Sequence, residues 1–189
     1  LRKMKEQEYK FITDEETFSI AERLLISRKC EMSERIHINY YYDTDLGSLF
    51  HNNITLRIRQ TEESLLLQLK RRIALDNGLF TSEEEAFKID SLKSEIISLP
   101  NNEFIKDDDS YKLQGSLTTW RRIYTITDGI KAVFDSNYYL GIFDREIEFE
   151  LSGGKSDEAE RIICMLRLNK AMSSKLGKYE RFFTRKENI

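Results

Sequence analysis

Punctuation is scarce in this chain. Its 189 residues include one proline, Pro100, and eight glycines. No Pro-, Gly- or Ser-rich linker and no repeat divides it, so it reads as one domain rather than two. The two cysteines, Cys30 and Cys164, lie far apart and form no CxxC pattern, which suits buried free thiols in a reducing compartment. Two histidines, His37 and His51, cannot build a histidine-rich zinc site and read as surface or ordinary strand residues. No apolar run is long enough to span a membrane as a helix, and there is no signal-peptide pattern. Met4, opening "MKEQEYKF", reads as a natural start. These features point to a cytoplasmic protein. An excess of basic charge is also missing: 30 basic and 33 acidic groups leave a net −3, which argues against a nucleic-acid binder. Without GxxxxGK[ST], GxGxxG or GxSxG, neither a backbone phosphate cradle nor a serine nucleophile elbow is expected.

What the chain does have is alternation. "ITLRIRQ" (54–60) puts Ile54, Leu56 and Ile58 on one face and Thr55, Arg57 and Arg59 on the other. "SLLLQLKRR" (64–72) sets Leu65, Leu67 and Leu69 against Leu66, Gln68 and Lys70, and pairs with it across the short turn "TEES". "RIHINYYYDT" (35–44), "LFTSEEEAF" (79–87), "GSLTTWRRIYTI" (115–126), "IKAVFDSNYY" (130–139) and "FDREIEFEL" (143–151) read as further strands. "TDEETFSIAERLLIS" is a helix, with Thr13 and Glu16 at capping-box spacing. "DSLKSEIISL" (90–99) suits a short helix before Pro100, "KDDDSYK" (106–112) a polar connection, and "SDEAERIICMLRL" (156–168) a second amphipathic helix. Without regular βα alternation, a doubly wound parallel sheet is not expected.

The polar faces of these strands are unusual. "EQEYK" offers Glu6, Glu8 and Lys10 opposite Tyr9; "LRIR" offers Arg57 and Arg59; "REIEFE" offers Glu146, Glu148 and Glu150. One such strand is an ordinary solvent-facing edge. Several are harder to explain that way, because like charges at 4 Å repel by about 4 kcal/mol at an effective dielectric near 20. Closing the sheet into an eight-stranded barrel turns these faces inward. There the arginines can meet glutamates, or each sign can meet an opposite ligand. Clustered carboxylates suit Mg²⁺ or Mn²⁺, and guanidinium groups suit phosphate.

With these residues in order, the chain resembles the CYTH domain, the triphosphate tunnel metalloenzymes, whose members include class IV adenylyl cyclases and thiamine triphosphatases. "EQEYK" fits the ExExK signature, and "YYDT", "ITLRIR", "LLLQLK", "GSLTTWR", "FDSNYY", "REIEFE" and "KYER" resemble the later blocks, from about residue 4 to 183. The resemblance implies an α+β fold, a single domain over residues 4–183 with extensions at 1–3 and 184–189: an eight-stranded antiparallel β-barrel with helices packed outside. It implies an enzyme that hydrolyses a small triphosphate (inorganic, thiamine or nucleoside) with Mg²⁺ or Mn²⁺. Alternatives are a class IV-type cyclase or a non-catalytic polyphosphate or nucleotide binder. No nucleic-acid or membrane partner is implied, and a monomer or homodimer is expected. By position, Glu6, Glu8, Asp135, Glu146 and Glu148 resemble metal ligands. Lys10, Arg57, Arg59, Lys70, Arg121 and Lys178 resemble substrate-binding groups, with Lys10, Glu8 and Arg59 nearest the chemistry.

Some positions depart from the family pattern or stay open. Gly177 stands where the last block has serine, so Lys175 competes with Lys178. Arg145 replaces a more usual apolar or aromatic residue. The acidic residue of the middle strand is Glu83 or Glu85, since "SEEE" sets no register. Glu150 is expected at the tunnel mouth or exposed, and Trp120 outside the tunnel, under a helix.

Overall fold

The computed structural model describes residues 2–105, 110–169 and 172–189. In chain order the elements are β1 (Arg2–Thr13), α1 (Glu15–Ser27), β2 (Glu31–Asp43), α2 (Ser48–His51), β3 (Ile54–Gln60), β4 (Leu65–Asp76), β5 (Leu79–Ile89), β6 (Glu95–Ile96), β7 (Tyr111–Thr127), β8 (Ile130–Tyr139), β9 (Ile142–Leu151), α3 (Ser156–Met165) and α4 (Lys178–Glu187). The sheet runs β2-β3-β4-β5-β1-β9-β8-β7, and β7 pairs back onto β2. Every pairing is antiparallel. The α+β fold is therefore the closed eight-stranded barrel expected from the strand faces, with no open edge along the ring. β6 adds only two residues beside the start of β7.

The apolar faces point outward and are covered. Tyr9 and Phe11 of β1, Phe134 of β8 and Phe149 of β9 pack under α1 and α3 through Phe18, Ala21, Leu25, Ala159 and Ile163. Leu56, Ile58, Leu67 and Leu69 pack under Leu49 of α2 and under Ile96, Phe104 and Ile105. Burying such side chains contributes about 1.5–3 kcal/mol each. α4 caps one end of the barrel, its Tyr179, Phe182 and Phe183 packing on Tyr41, Leu117 and Tyr139. Gly115 makes room for that cap: a Cβ there would lie 2.7 Å from the Phe182 ring, and its φ of +144° is one that L side chains avoid.

Four expectations are corrected. Thr13 still pairs within β1, and the N-cap of α1 is Asp14, whose carboxylate accepts from Thr17 N–H at 2.8 Å. Residues 90–99 form no helix; Glu95 and Ile96 instead pair with β7, whose backbone groups need partners, and this buries Ile96. Trp120 is outside the barrel but not under a helix: it is 40% exposed, donates to Glu34 at 3.2 Å and stacks with Arg122. The neighbouring Arg122 and Tyr124 meet α1 instead, at Glu22. Both cysteines are free, but Cys164 is exposed rather than buried because it lies on the solvent side of α3. The expected connection at 106–112 lies partly outside the described residues. Among the described residues no helix is long and apolar enough to cross a membrane.

Candidate functional site

The barrel encloses a cavity of about 730 Å³ lined by charged residues from β1, β3, β4, β5, β7 and β9 and by the start of α4. Period-two alternation in β1 aims Glu6, Glu8 and Lys10 inward while Tyr9 turns out to Glu160 of α3. The same rule places the remaining expected residues of β3, β4, β7, β8 and β9 inside.

One wall is acidic and internally paired. Lys10 bridges Glu8, at 2.8 Å, and Glu148. Lys178, delivered from α4, meets Asp135 at 2.8 Å, Glu148 at 2.9 Å and Glu146. Arg121 forks onto Asp135 at 2.8 and 2.6 Å and reaches Glu148 at 2.8 Å. Arg181 donates to Glu146 at 3.0 Å and to Asp144 at 3.1 Å. Lys70 holds Glu6 and, at 3.0 Å, Glu8. Burial alone would raise the Glu146 carboxyl; Arg181 and Lys178 outweigh it and hold the group down at about 2. Burial likewise opposes ionisation of Glu148, but Lys10, Lys178 and Arg121 keep it well below the carboxylate range. Burial also disfavours the Lys10 cation, yet Glu148 and Glu8 hold it firmly protonated.

The opposite wall, on β2 and β3 with the adjoining part of β4, is different. Arg57 donates its Nε to Gln68 at 2.9 Å, and Gln68 donates to Glu84 at 2.6 Å. Arg59 donates its Nε to Asn39 at 2.9 Å, and no carboxylate pairs with it among the described residues. Burial, and then Arg57 and Arg121, push its basicity below that of an ordinary arginine. His37, which is buried, has no partner for either ring nitrogen, and burial with the surrounding cations keeps it neutral.

The expected site residues thus face one lumen, with Asp135 and Glu146 fully buried behind the cavity lining, and several open points close. The middle-strand acid is neither Glu83 nor Glu85. Opposite Lys70 in the β4–β5 register stands Glu84, which lines the cavity, while Glu83 pairs with Arg71 on the outer face. Lys178 is inside and Lys175 is exposed. Glu150 lines the cavity half-buried, 3.5 Å from Arg121. Arg145 lies outside, over Phe143 and beside Glu15. His51 is exposed, whereas His37 is a lumen-wall residue. Glu84, Asn39 and His37 were missed. Alternation within β2 was the available signal for the last two, but apolar neighbours on both sides left its inward face unmarked.

Oxygen donors suited to a hard divalent ion come together in one place. Asp135, Glu146 and Glu148 are buried, with one carboxylate oxygen of each within 4.8 Å of the others. The donor chemistry fits Mg²⁺ or Mn²⁺, and the ammonium groups of Lys10 and Lys178 already supply positive charge at the same oxygens. Glu6 and Glu8 form a neighbouring pair on β1, linked to this cluster through Lys10.

Comparison with known proteins agrees with this geometry. A Bacillus halodurans protein proposed to be an adenylate cyclase is 25% identical, with a TM-score of 0.76 over 97% of this chain and 100% of that one. A Hippeastrum protein, proposed as an adenylyl cyclase and described as having a dominant triphosphatase activity, is 19% identical, with a TM-score of 0.72 over 95% of each chain. The mimivirus capping-enzyme triphosphatase shares the fold at a TM-score of 0.56 and 10% identity, over 86% of this chain and 89% of that one. The search of curated proteins gives no match. The CYTH domain family model matches residues 4–183, and the chain belongs to that family.

Proposed function

We propose that this protein hydrolyses a small triphosphate inside its barrel with the help of a divalent ion. The observation that carries this reading is the two-walled lumen: Arg59, held by an amide with no carboxylate partner among the described residues, and Arg57 face a cavity whose other wall carries Glu148, the lumen-facing edge of a buried carboxylate cluster. Arg57 and Arg59 grip the phosphate oxygens, while Lys70 and Arg121 flank them. Asp135, Glu146 and Glu148 would hold the ion, with Glu6 and Glu8 beside them; once bound it neutralises phosphate charge. Lys10, fixed between Glu8 and Glu148, donates to an oxygen of the terminal phosphoryl group. Water attacks the terminal phosphorus, the bridging P–O bond breaks, and orthophosphate and diphosphate leave. The proton lost by water passes to a lumen carboxylate. Positioning and charge placement supply most of the acceleration.

The test is phosphate release from inorganic, thiamine and nucleoside triphosphates with Mg²⁺ and with Mn²⁺, read alongside cyclic-nucleotide formation. The expected result is orthophosphate release that falls at least about a hundredfold in Glu8→Gln. Cyclic nucleotide as the main product would replace hydrolysis with cyclisation. Tight binding without turnover of any triphosphate would leave only a binding module.

A further inference from the structure

The two lumen walls orient their arginines by different chemistry. Arg121 is aimed by carboxylates, Asp135 at 2.8 and 2.6 Å and Glu148 at 2.8 Å, which fix its direction and cancel its charge. Arg59 stands directly across the β2–β3 register from Asn39, and its Nε meets the amide oxygen at 2.9 Å. An amide oxygen fixes direction without supplying a negative charge. The choice is an odd one for packing alone. Asn39 is fully buried, and its own Nδ2 has no hydrogen-bond partner. An isosteric aspartate would bond the guanidinium more strongly and leave no orphan N–H.

The pattern repeats on β4. Gln68 accepts from Arg57 Nε at 2.9 Å and hands its own N–H to Glu84 at 2.6 Å, so the amide takes the close contact and Glu84 meets Arg57 only through Nη2, as a looser ion pair at 3.5 Å. His37, two residues before Asn39 on the same inward face, is buried without a partner.

We infer that Asn39 is a positioning residue that aims Arg59 while leaving its full charge for the incoming polyanion, and that Gln68 aims Arg57 in the same way while keeping its Nε off a carboxylate, so that Glu84 offsets the charge only from 3.5 Å. This rests on the triphosphate reading above. It adds that the amides, rather than the arginines alone, set how strongly the site attracts phosphate.

The experiment is calorimetric binding of inorganic triphosphate to the full chain near neutral pH, with chelator present, for wild type, Asn39→Asp and Gln68→Glu, alongside each variant's thermal midpoint. The expected result is binding at least about tenfold weaker in both variants, about 1.4 kcal/mol, with the Asn39→Asp midpoint unchanged or raised. A merely structural hydrogen bond predicts the reverse for binding, because the new carboxylate keeps or strengthens the contact with Arg59. Binding within about threefold of wild type in a folded Asn39→Asp overturns the inference. If Asn39→Asp does not fold, Gln68→Glu decides by the same threshold. Failure of the wild type to bind both with chelator and with Mg²⁺ or Mn²⁺ supplied would sink the triphosphate reading instead.

Discussion

The lumen has two walls built from the same strands and opposite logic. On β1, β8 and β9, nearly every charge has an opposite within hydrogen-bond reach: Lys10, Lys178, Arg121 and Arg181 satisfy Glu8, Asp135, Glu146 and Glu148. On β2 and β3, Arg59 meets only an amide, and Arg57 meets an amide with a carboxylate 3.5 Å away. The paired wall is complete before any ligand arrives, so its charges support the fold. The amide-backed wall holds charge that no close carboxylate cancels at Arg59 and that Glu84 offsets only from 3.5 Å at Arg57, so it gains most from an anion. On the triphosphate reading, the paired wall would serve both the fold and the ion, while the amide-backed wall would serve chiefly to attract the anion.

Removing one carboxylate from the paired wall should have the largest effect. Glu146→Gln takes a fully buried partner from both Lys178, which keeps Asp135 and Glu148, and Arg181, which keeps Asp144, and breaking buried pairs costs about 3–5 kcal/mol. The thermal midpoint should fall by roughly 10 °C, and scanning calorimetry checks it. An unchanged midpoint would mean that the paired wall does not support the fold.

Acid should strike the same wall. Glu146 is held at about 2 in the folded chain against an ordinary 4.5. Because its folded value is depressed, its contribution is fully present above pH 4.5 and is lost as the pH falls towards 2. The loss is about 3 kcal/mol for this group alone. Urea unfolding at a series of pH values between neutrality and pH 3 should show stability declining only below the ordinary carboxylate range.

The amide-backed wall should respond in the opposite way. Arg59→Ala removes an unpaired charge, so the thermal midpoint should hold or rise, while inorganic triphosphate binding weakens by about 2–3 kcal/mol, roughly 30- to 150-fold. Paired calorimetric and thermal measurements on this variant and Glu146→Gln sharpen the contrast. If Arg59→Ala loses as much stability as Glu146→Gln, the two walls are not distinct.

Much of the site was legible because alternation and charge sign coincide. Arg57 and Arg59 flank Ile58, and Glu146 and Glu148 flank Ile147, so once the apolar side was known to pack outward the charged side had to be inside. Lys178 was legible only through its place in the "KYER" block. It reaches the carboxylates because α4 folds back onto the barrel end, where Tyr179 and Phe182 pack on Tyr41. Three consecutive acidic residues, Glu83 to Glu85, carry no periodic signal, so the inward one was hidden until β5 was placed against β4. The helix expected at 90–99 failed because its apolar spacing needed a surface to pack on, and β7 offered unpaired backbone instead.

By itself, the sequence determined the long strands, the outward apolar faces, the sign of charge on most inward faces, and with them a barrel whose lumen carries both signs of charge. These are local properties, set by a side-chain period of two and by the cost of leaving apolar surface in water. Only the tertiary structure decided which charges are cancelled. That depends on register between strands far apart in the chain: Lys10 against Glu148, Lys178 among Asp135, Glu146 and Glu148, and Asn39 rather than a carboxylate behind Arg59. A hydrogen bond is settled within a few tenths of an ångström, and no spacing along one strand carries that information to the next.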